Sequence, residues 1–179
     1  MSDLGLDKRV VRLAAHNPSW AALYERERPQ IVAALAGLAR GVEHVGSTSV
    51  PGLAAKPVLD IAARVVAETS NEELIARLSE IGYLFCGDKG ADGGVLFVRE
   101  RAPLVRTHHL HVVRVGEPTW ALYLGFRAAL RADAGVRRDY ERLKRSLVER
   151  FAEDRAGYTA AKAAFIRGVL AGADPDARG

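Results

Sequence analysis

The period of the hydrophobic positions changes along the chain, and each change predicts an element. In "KRVVRLAA", residues 8–15, apolar and polar residues alternate loosely, which predicts a short edge strand. From 17 to 38 the apolar residues Trp20, Leu23, Tyr24, Ile31, Leu35 and Leu38 recur at helical spacing. Asn17 is placed to cap this helix and Pro18 suits its first turn. Pro29 should kink or break it, because proline removes a backbone donor and its ring crowds the turn before it. Strands follow at about 42–46 and 57–66. "NEELIARLSEIG" then predicts a helix with Asn71 as its cap and Leu74, Ile75, Leu78 and Ile81 as its buried stripe. "YLFC" is a short strand, "GDKGADGG" a turn, and "VLFVRE" and "RTHHLHVVRV" two more strands.

The last third returns to a helical period. Trp120, Leu124, Arg127 and Leu130 share one face after Pro118. Val136, Tyr140, Leu143, Leu147 and Phe151 form a clean amphipathic stripe, and Tyr158, Lys162, Phe165, Ile166 and Val169 mark a third helix. The run "RRDYERLKR" reads as a solvated helix face with internal ion pairs. A strand-rich centre followed by helices predicts an α+β fold, a mixed β-sheet with helices on one face and a C-terminal helical layer. No linker divides the chain, so residues 1–170 read as one domain and 171–179, "AGADPDARG", as a flexible tail.

Composition narrows the classes. The 179 residues are 49% hydrophobic and 27% charged, an ordinary globular balance. No apolar run is long enough to span a membrane, the N-terminus lacks the apolar core of a signal peptide, and Cys86 is the single cysteine. A cytoplasmic protein without disulfides is expected. The net charge of +4 is modest, and arginine outnumbers lysine in a chain also rich in Ala and Gly, the pattern of GC-rich coding. With no aromatic stacking surface and no basic stripe, nucleic acid is not an expected partner.

The stretch "VEHVGSTSVPGLAAKPVLDIAARVV", residues 42–66, carries the candidate chemistry. Alternation points Leu59, Ile61, Ala63 and Val65 to one face, the core, and Val58, Asp60, Ala62 and Arg64 to the other. Asp60 is thus a lone carboxylate on a cleft-facing strand, with Arg64 its only evident counter-ion, so neutralising it is expected to change stability little. The preceding turn, with Gly46 and the hydroxyls of Ser47, Thr48 and Ser49, can offer backbone N–H groups to phosphate oxygens. In the later strand Thr107, His109 and His111 share one face, and His108, Leu110 and Val112 the other. If Leu110 and Val112 face the helices, His109 and His111 join Asp60 in one cleft. Two imidazoles at i and i+2 suit a transition metal or a general base. Lys162 and Arg127 are candidate phosphate contacts, Arg127 because it sits on an apolar helix face. His44 reads as support for the turn, His16 and His108 as surface or capping residues.

Gly46-Ser47, a spacer of twelve residues and Asp60 resemble the signature of the polymerase-β-like nucleotidyltransferases. The fuller resemblance is to the GrpB family on that fold, at "HNPSWAALYERE", "VEHVGSTSVPGLAAKPVLDI", "RTHHLHVV", "LGFRAALR" and "YTAAKAAFI", which together span most of the chain. The resemblance implies Ser47 as a contact of the β- and γ-phosphates and Asp60 as the first metal-binding aspartate. Taken with the residues read above, the candidate phosphate-binding set is Gly46, Ser47, Thr48, Ser49, Lys56, Arg127 and Lys162, and the candidate catalytic and metal set is Asp60, His109 and His111. The cofactor it implies is Mg²⁺ or another divalent metal, the substrate an NTP, and the partner a small-molecule acceptor. One departure stands out: the second aspartate of the signature falls on Ala62. Two-metal transfer needs carboxylates bridging ions about 3.5–4 Å apart. The expected function is nucleotidyl transfer to a small acceptor, and the alternative is an altered nucleotide- or phosphometabolite-binding module.

Overall fold

The computed structural model describes residues 4–88 and 94–173. Six strands form one mixed sheet: β1 (Leu6–Asp7), β2 (Ala39–Val45), β3 (Leu59–Val65), β4 (Leu84–Asp88), β5 (Val95–Ala102) and β6 (Val105–Arg114). Their order is β2-β3-β6-β5-β4, with β1 also on β6. β3 and β6 are parallel, and the other pairings are antiparallel. Five helices accompany them: α1 (Ser19–Ala34), α2 (Asn71–Ser79), α3 (Thr119–Ala132), α4 (Ala134–Arg150) and α5 (Arg155–Ala173). This is the α+β, nucleotidyltransferase-like arrangement that the pattern and the resemblance implied.

The two faces of the sheet have different owners. Leu59, Ile61, Ala63 and Val65 are fully buried with Leu110, Val112, Val95 and Phe97, against Trp20, Tyr24 and Ile31 of α1 and Leu74 and Leu78 of α2. Each large apolar side chain buried there contributes on the order of 1.5–3 kcal/mol, so this face anchors the sheet. The opposite face carries Asp60, His109 and His111. Helices α3, α4 and α5 pack over that side, with their own core of Val50, Leu53, Phe126, Leu130 and Tyr140.

Several local expectations are corrected. Residues 8–15 are not a strand. The Arg9 backbone and guanidinium both donate to the Asp7 carboxylate and curl the chain, leaving only Leu6–Asp7 on β6 and a lone bridge from Ala14 to Ala55. Helix α1 starts at Ser19, whose N–H donates to Asn17 Oδ1. It continues through Pro29 without a break, because its buried residues on both sides of the proline, Tyr24 and Ile31, hold it to the sheet. The cap of α2 is Ser70, which accepts from the Glu73 N–H; Asn71 instead bonds Asp88 and Arg114. Ile75 is exposed, since only the 74–78 step faces the sheet. β2 begins at Ala39, three residues earlier than the apolar run suggests. Helix α5 runs through 171–173, into the stretch read as tail; 174–179, and 89–93 of the glycine-rich turn, lie outside the described residues.

Candidate functional site

The central parallel pair builds the site. Asp60 and His109 are direct partners in the β3–β6 register, as are Ala62 and His111. Parallel strands lie about 4.8 Å apart, so side chains on one face meet. His109 Nδ1 lies 2.9 Å from Asp60 Oδ1, and His111 Nε2 lies 3.5 Å from the same oxygen. Ala62 is fully buried beside His111, and its methyl group leaves room for that imidazole to reach along the strand to Asp60. A ligand atom from each of Asp60, His109 and His111 lies within 4.8 Å of the others. Sequence alternation had placed these three in one cleft, and the structure brings them together.

The environment of Asp60 differs from the expectation. Burial opposes its ionisation, yet the hydrogen bonds and charges of His109 and His111 outweigh it and hold the carboxyl well below the usual range. Arg64 is not its counter-ion; that guanidinium stacks 5.0 Å from the Trp120 ring. Neutralising Asp60 is therefore expected to cost stability, about 1.5–3 kcal/mol for a hydrogen bond to a charged group. The Tyr123 hydroxyl of α3 lies 3.1 Å from His111 Nδ1 and fixes that ring from behind.

Gly46 answers to the same carboxylate. Its φ is +66°, and a Cβ there would lie 2.7 Å from Asp60 Oδ2. The turn can approach the carboxylate this closely only without a side chain. After it, Ser47–Ser49 form a single 3-10 turn. Thr48 Oγ1 pairs with His44 Nε2 at 2.9 Å, and Ser49 Oγ donates to the Gly46 carbonyl. Both residues are buried, so the turn presents one hydroxyl, Ser47, where three were expected. His44 supports the turn as read, stacked on Tyr24 at 4.9 Å, and burial pulls its pKa down to about 4. His16 and His108 pack edge-on against Trp20 and Tyr83 and are not simple surface residues.

The turn, Asp60 and the histidines open into a cavity of about 750 Å³ roofed by α3, α4 and α5. Five cationic side chains line it, Lys56, Arg106, Lys144, Lys162 and Arg167, against one carboxylate, Asp60. Lys56 and Lys162 lie over the Tyr158 ring, at 5.5 and 4.5 Å from its centroid. Arg127 is elsewhere: it donates to Glu43 and to the His44 carbonyl, tying α3 to β2. Its neighbour Arg131 clamps the Ser49 carbonyl in the same way. The charge on the apolar face thus found partners in the strand edge and the turn, not in the cavity.

Lys144 is the residue that sequence reasoning missed. It lies within the run taken as solvated, yet it is 2% exposed. Its Nζ donates to the Ala54 carbonyl and sits 3.1 Å from Ser47 Oγ. Burial, aided by Lys162, Arg145 and Lys56 and opposed by Glu141, brings its pKa down to about 7. A signal existed: position 144 follows Tyr140 by four and precedes Leu147 by three, on the buried stripe of α4. Tyr158 also reaches the cavity, fully buried, with a hydroxyl that has no partner among the described residues.

Residues 10–171 match the family described as GrpB protein. The chain belongs to the GrpB family. It is 32% identical over 173 residues to the glutamate-rich protein GrpB of Alkalihalophilus pseudofirmus, covering 93% of this chain and 98% of that one. A UPF0157 protein of Streptomyces coelicolor is 40% identical over 170 residues, covering 92% and 85%. The crystal structure of a conserved protein GrpB from Enterococcus faecalis superposes with a TM-score of 0.79 at 31% identity, over 90% of this chain and 96% of that one. The GrpB resemblance in the sequence motifs is thus matched by both sequence and fold. No helix among the described residues is long and apolar enough to cross a membrane.

Proposed function

We propose that this GrpB-family chain binds a nucleoside triphosphate together with a divalent metal and transfers the nucleotidyl group to a small acceptor. The observation that carries the reading is the charge distribution of the cavity, four cations, Lys56, Arg106, Lys162 and Arg167, beside the buried Lys144, against a single carboxylate held between two imidazoles. Such a cavity favours a polyanion, and its volume lies in the range of small-molecule sites, about 300–1,000 Å³. Lys56 and Lys162, held over Tyr158, and Ser47 beside Lys144 offer the polar contacts for phosphate oxygens. Phe126, Ile166 and Leu170 give an apolar wall for a base.

The donor set tests the metal. Mg²⁺ prefers oxygen ligands, whereas two imidazoles and one carboxylate suit Zn²⁺, Mn²⁺ or Fe²⁺. Asp60, His109 and His111 fit one ion of that kind, with Tyr123 orienting His111 from its other ring nitrogen. When bound, such an ion would supply Lewis-acid polarisation of a phosphate oxygen. Without an ion, His109 or His111 would instead take a proton from an acceptor hydroxyl in the cavity. Ala62, where a second carboxylate would stand, favours one ion over two. It is also the observation behind a second reading, a nucleotide- or phosphometabolite-binding module without transfer.

The test is a thermal-shift series with ATP, GTP, CTP and UTP, each with Mn²⁺, Zn²⁺ or Mg²⁺, followed by assay of pyrophosphate release. A ligand at one hundred times its Kd adds about 2.7 kcal/mol to stability. The proposal expects a shift with at least one NTP, strongest with Mn²⁺ or Zn²⁺ and lost in Asp60→Asn. Stabilisation without pyrophosphate release supports the module. No shift with any NTP and metal removes the nucleotide.

A further inference from the structure

We propose that Ser47 and Lys144 form a nucleophile–base pair, with Ser47 Oγ attacking an electrophilic phosphorus in the cavity and Lys144 Nζ receiving its proton. The inference rests on the preceding reading only in taking phosphorus as the electrophile.

The contacts put the amine and the hydroxyl within reach of each other. The Ala54 carbonyl can only accept, so Lys144 Nζ must donate to it. The Tyr140 side chain bonds Ser47, and burial raises the pKa of that phenol so that it keeps its proton. Lys144 Nζ donates to Ser47 Oγ from 3.1 Å, so a neutral amine at the same place is within reach of the serine proton. As a neutral amine, Lys144 would keep an N–H on the Ala54 carbonyl and turn its lone pair to Ser47.

The surroundings favour that neutral amine. Nζ is buried, and among the described residues it forms no ion pair with a carboxylate. Glu141, three residues earlier, is engaged by Arg145 and the Ala54 N–H. From α5 it faces Lys162 and Tyr158, from the segment before β3 Lys56, and from its own helix Arg145, Glu141 and Tyr140. Asp60 of β3 acts on the two phenols rather than on the lysine. Three of these neighbours are cations, and a lysine desolvated beside cations is a familiar way to obtain an amine base near neutral pH. Ser47, by contrast, is only half-buried and lines the cavity, so an incoming phosphorus can reach it.

The step balances. Lys144 takes the Ser47 proton, Oγ bonds to phosphorus, and the bond from phosphorus to its leaving oxygen breaks with the electron pair. An acceptor hydroxyl then attacks the same phosphorus, its proton passing to His109 or His111 where no ion occupies them and to solvent otherwise. Oγ departs and recovers its proton from Lys144. Tyr140, bonded to Ser47, acts as a positioning residue.

Diisopropyl fluorophosphate is a probe of this pair that needs neither nucleotide nor metal, since Oγ displaces fluoride from phosphorus. The full chain is treated between about pH 5.5 and 9, and the Ser47 peptide is followed by mass spectrometry. Modification at Ser47 is expected, rising with pH and levelling above about 7, where Lys144 is neutral. Lys144→Met should slow it by about a hundredfold or more, and Lys144→Arg should do the same while keeping the positive charge. An unmodified Ser47, or a Lys144→Met chain that reacts at the native rate, overturns the proposal. If both variants fail to fold by circular dichroism, the native profile decides, and a rate independent of pH over that range overturns it. Labelling in a chain that shifts with no NTP keeps the pair and removes the nucleotide; NTP binding without labelling removes the pair alone.

Discussion

At the scale of single residues, the site turns on what one carboxylate demands of its neighbours. Gly46 has no side chain because Asp60 occupies the space, and its φ lies where L-residues are strained. Gly46→Ala should therefore lose about 1–3 kcal/mol of stability. It should also weaken Mn²⁺ or Zn²⁺ binding, read by urea denaturation and isothermal titration. A variant as stable as the native chain would mean that the turn does not press on Asp60. His44 gives a pH prediction. The unfolded histidine gains its proton near its ordinary value of 6.5, the folded one only near 4. Between these values the unfolded chain binds more protons, so stability falls as pH drops from about 6.5 to about 4. His44→Gln can keep a hydrogen bond to Thr48 and cannot titrate. Urea midpoints measured across that interval should fall less steeply in the variant.

At the scale of elements, periodicity located nearly every helix and strand because each has one face in a core. The exceptions have local causes. Residues 8–15 alternate, yet the Asp7–Arg9 contact curls them off the sheet. Pro29 does not end α1, since the packing of Trp20, Tyr24 and Ile31 outweighs one lost backbone bond. Helix α3 illustrates an ambiguity that pattern alone leaves open. An arginine on an apolar face needs a partner, but a cavity anion and a strand carboxylate satisfy it equally. The structure supplies Glu43 and the His44 carbonyl. Arg127→Met should thus lose about 1.5–3 kcal/mol in urea denaturation, with NTP affinity at the cavity nearly unchanged. A tenfold loss of affinity at unchanged stability would return Arg127 to the site.

At the scale of the whole molecule, the two sheet faces divide the labour. Helices α1 and α2 seal one face with apolar side chains. Helices α3, α4 and α5 roof the other over a charged cavity, and burying polar groups there without partners is unfavourable. The Tyr158 hydroxyl is such a group. Tyr158→Phe is expected to leave the ligand-free protein as stable or more stable, by up to about 1–3 kcal/mol, while weakening the ligand that the hydroxyl would meet. Thermal melts with and without NTP and metal separate the two effects, and equal losses in both would mark a structural hydroxyl. By itself the sequence determined the elements, the face on which Asp60, His109 and His111 lie, and the motifs of the GrpB family, because alternation and local spacing act within a few residues. Only the tertiary structure decided that β3 and β6 are neighbours in register, that Arg127 serves β2, and that Lys144 is buried against Ser47. Those contacts join residues 49 to 97 positions apart. Their partners are chosen by how the helices pack across the sheet, and no local pattern records that choice.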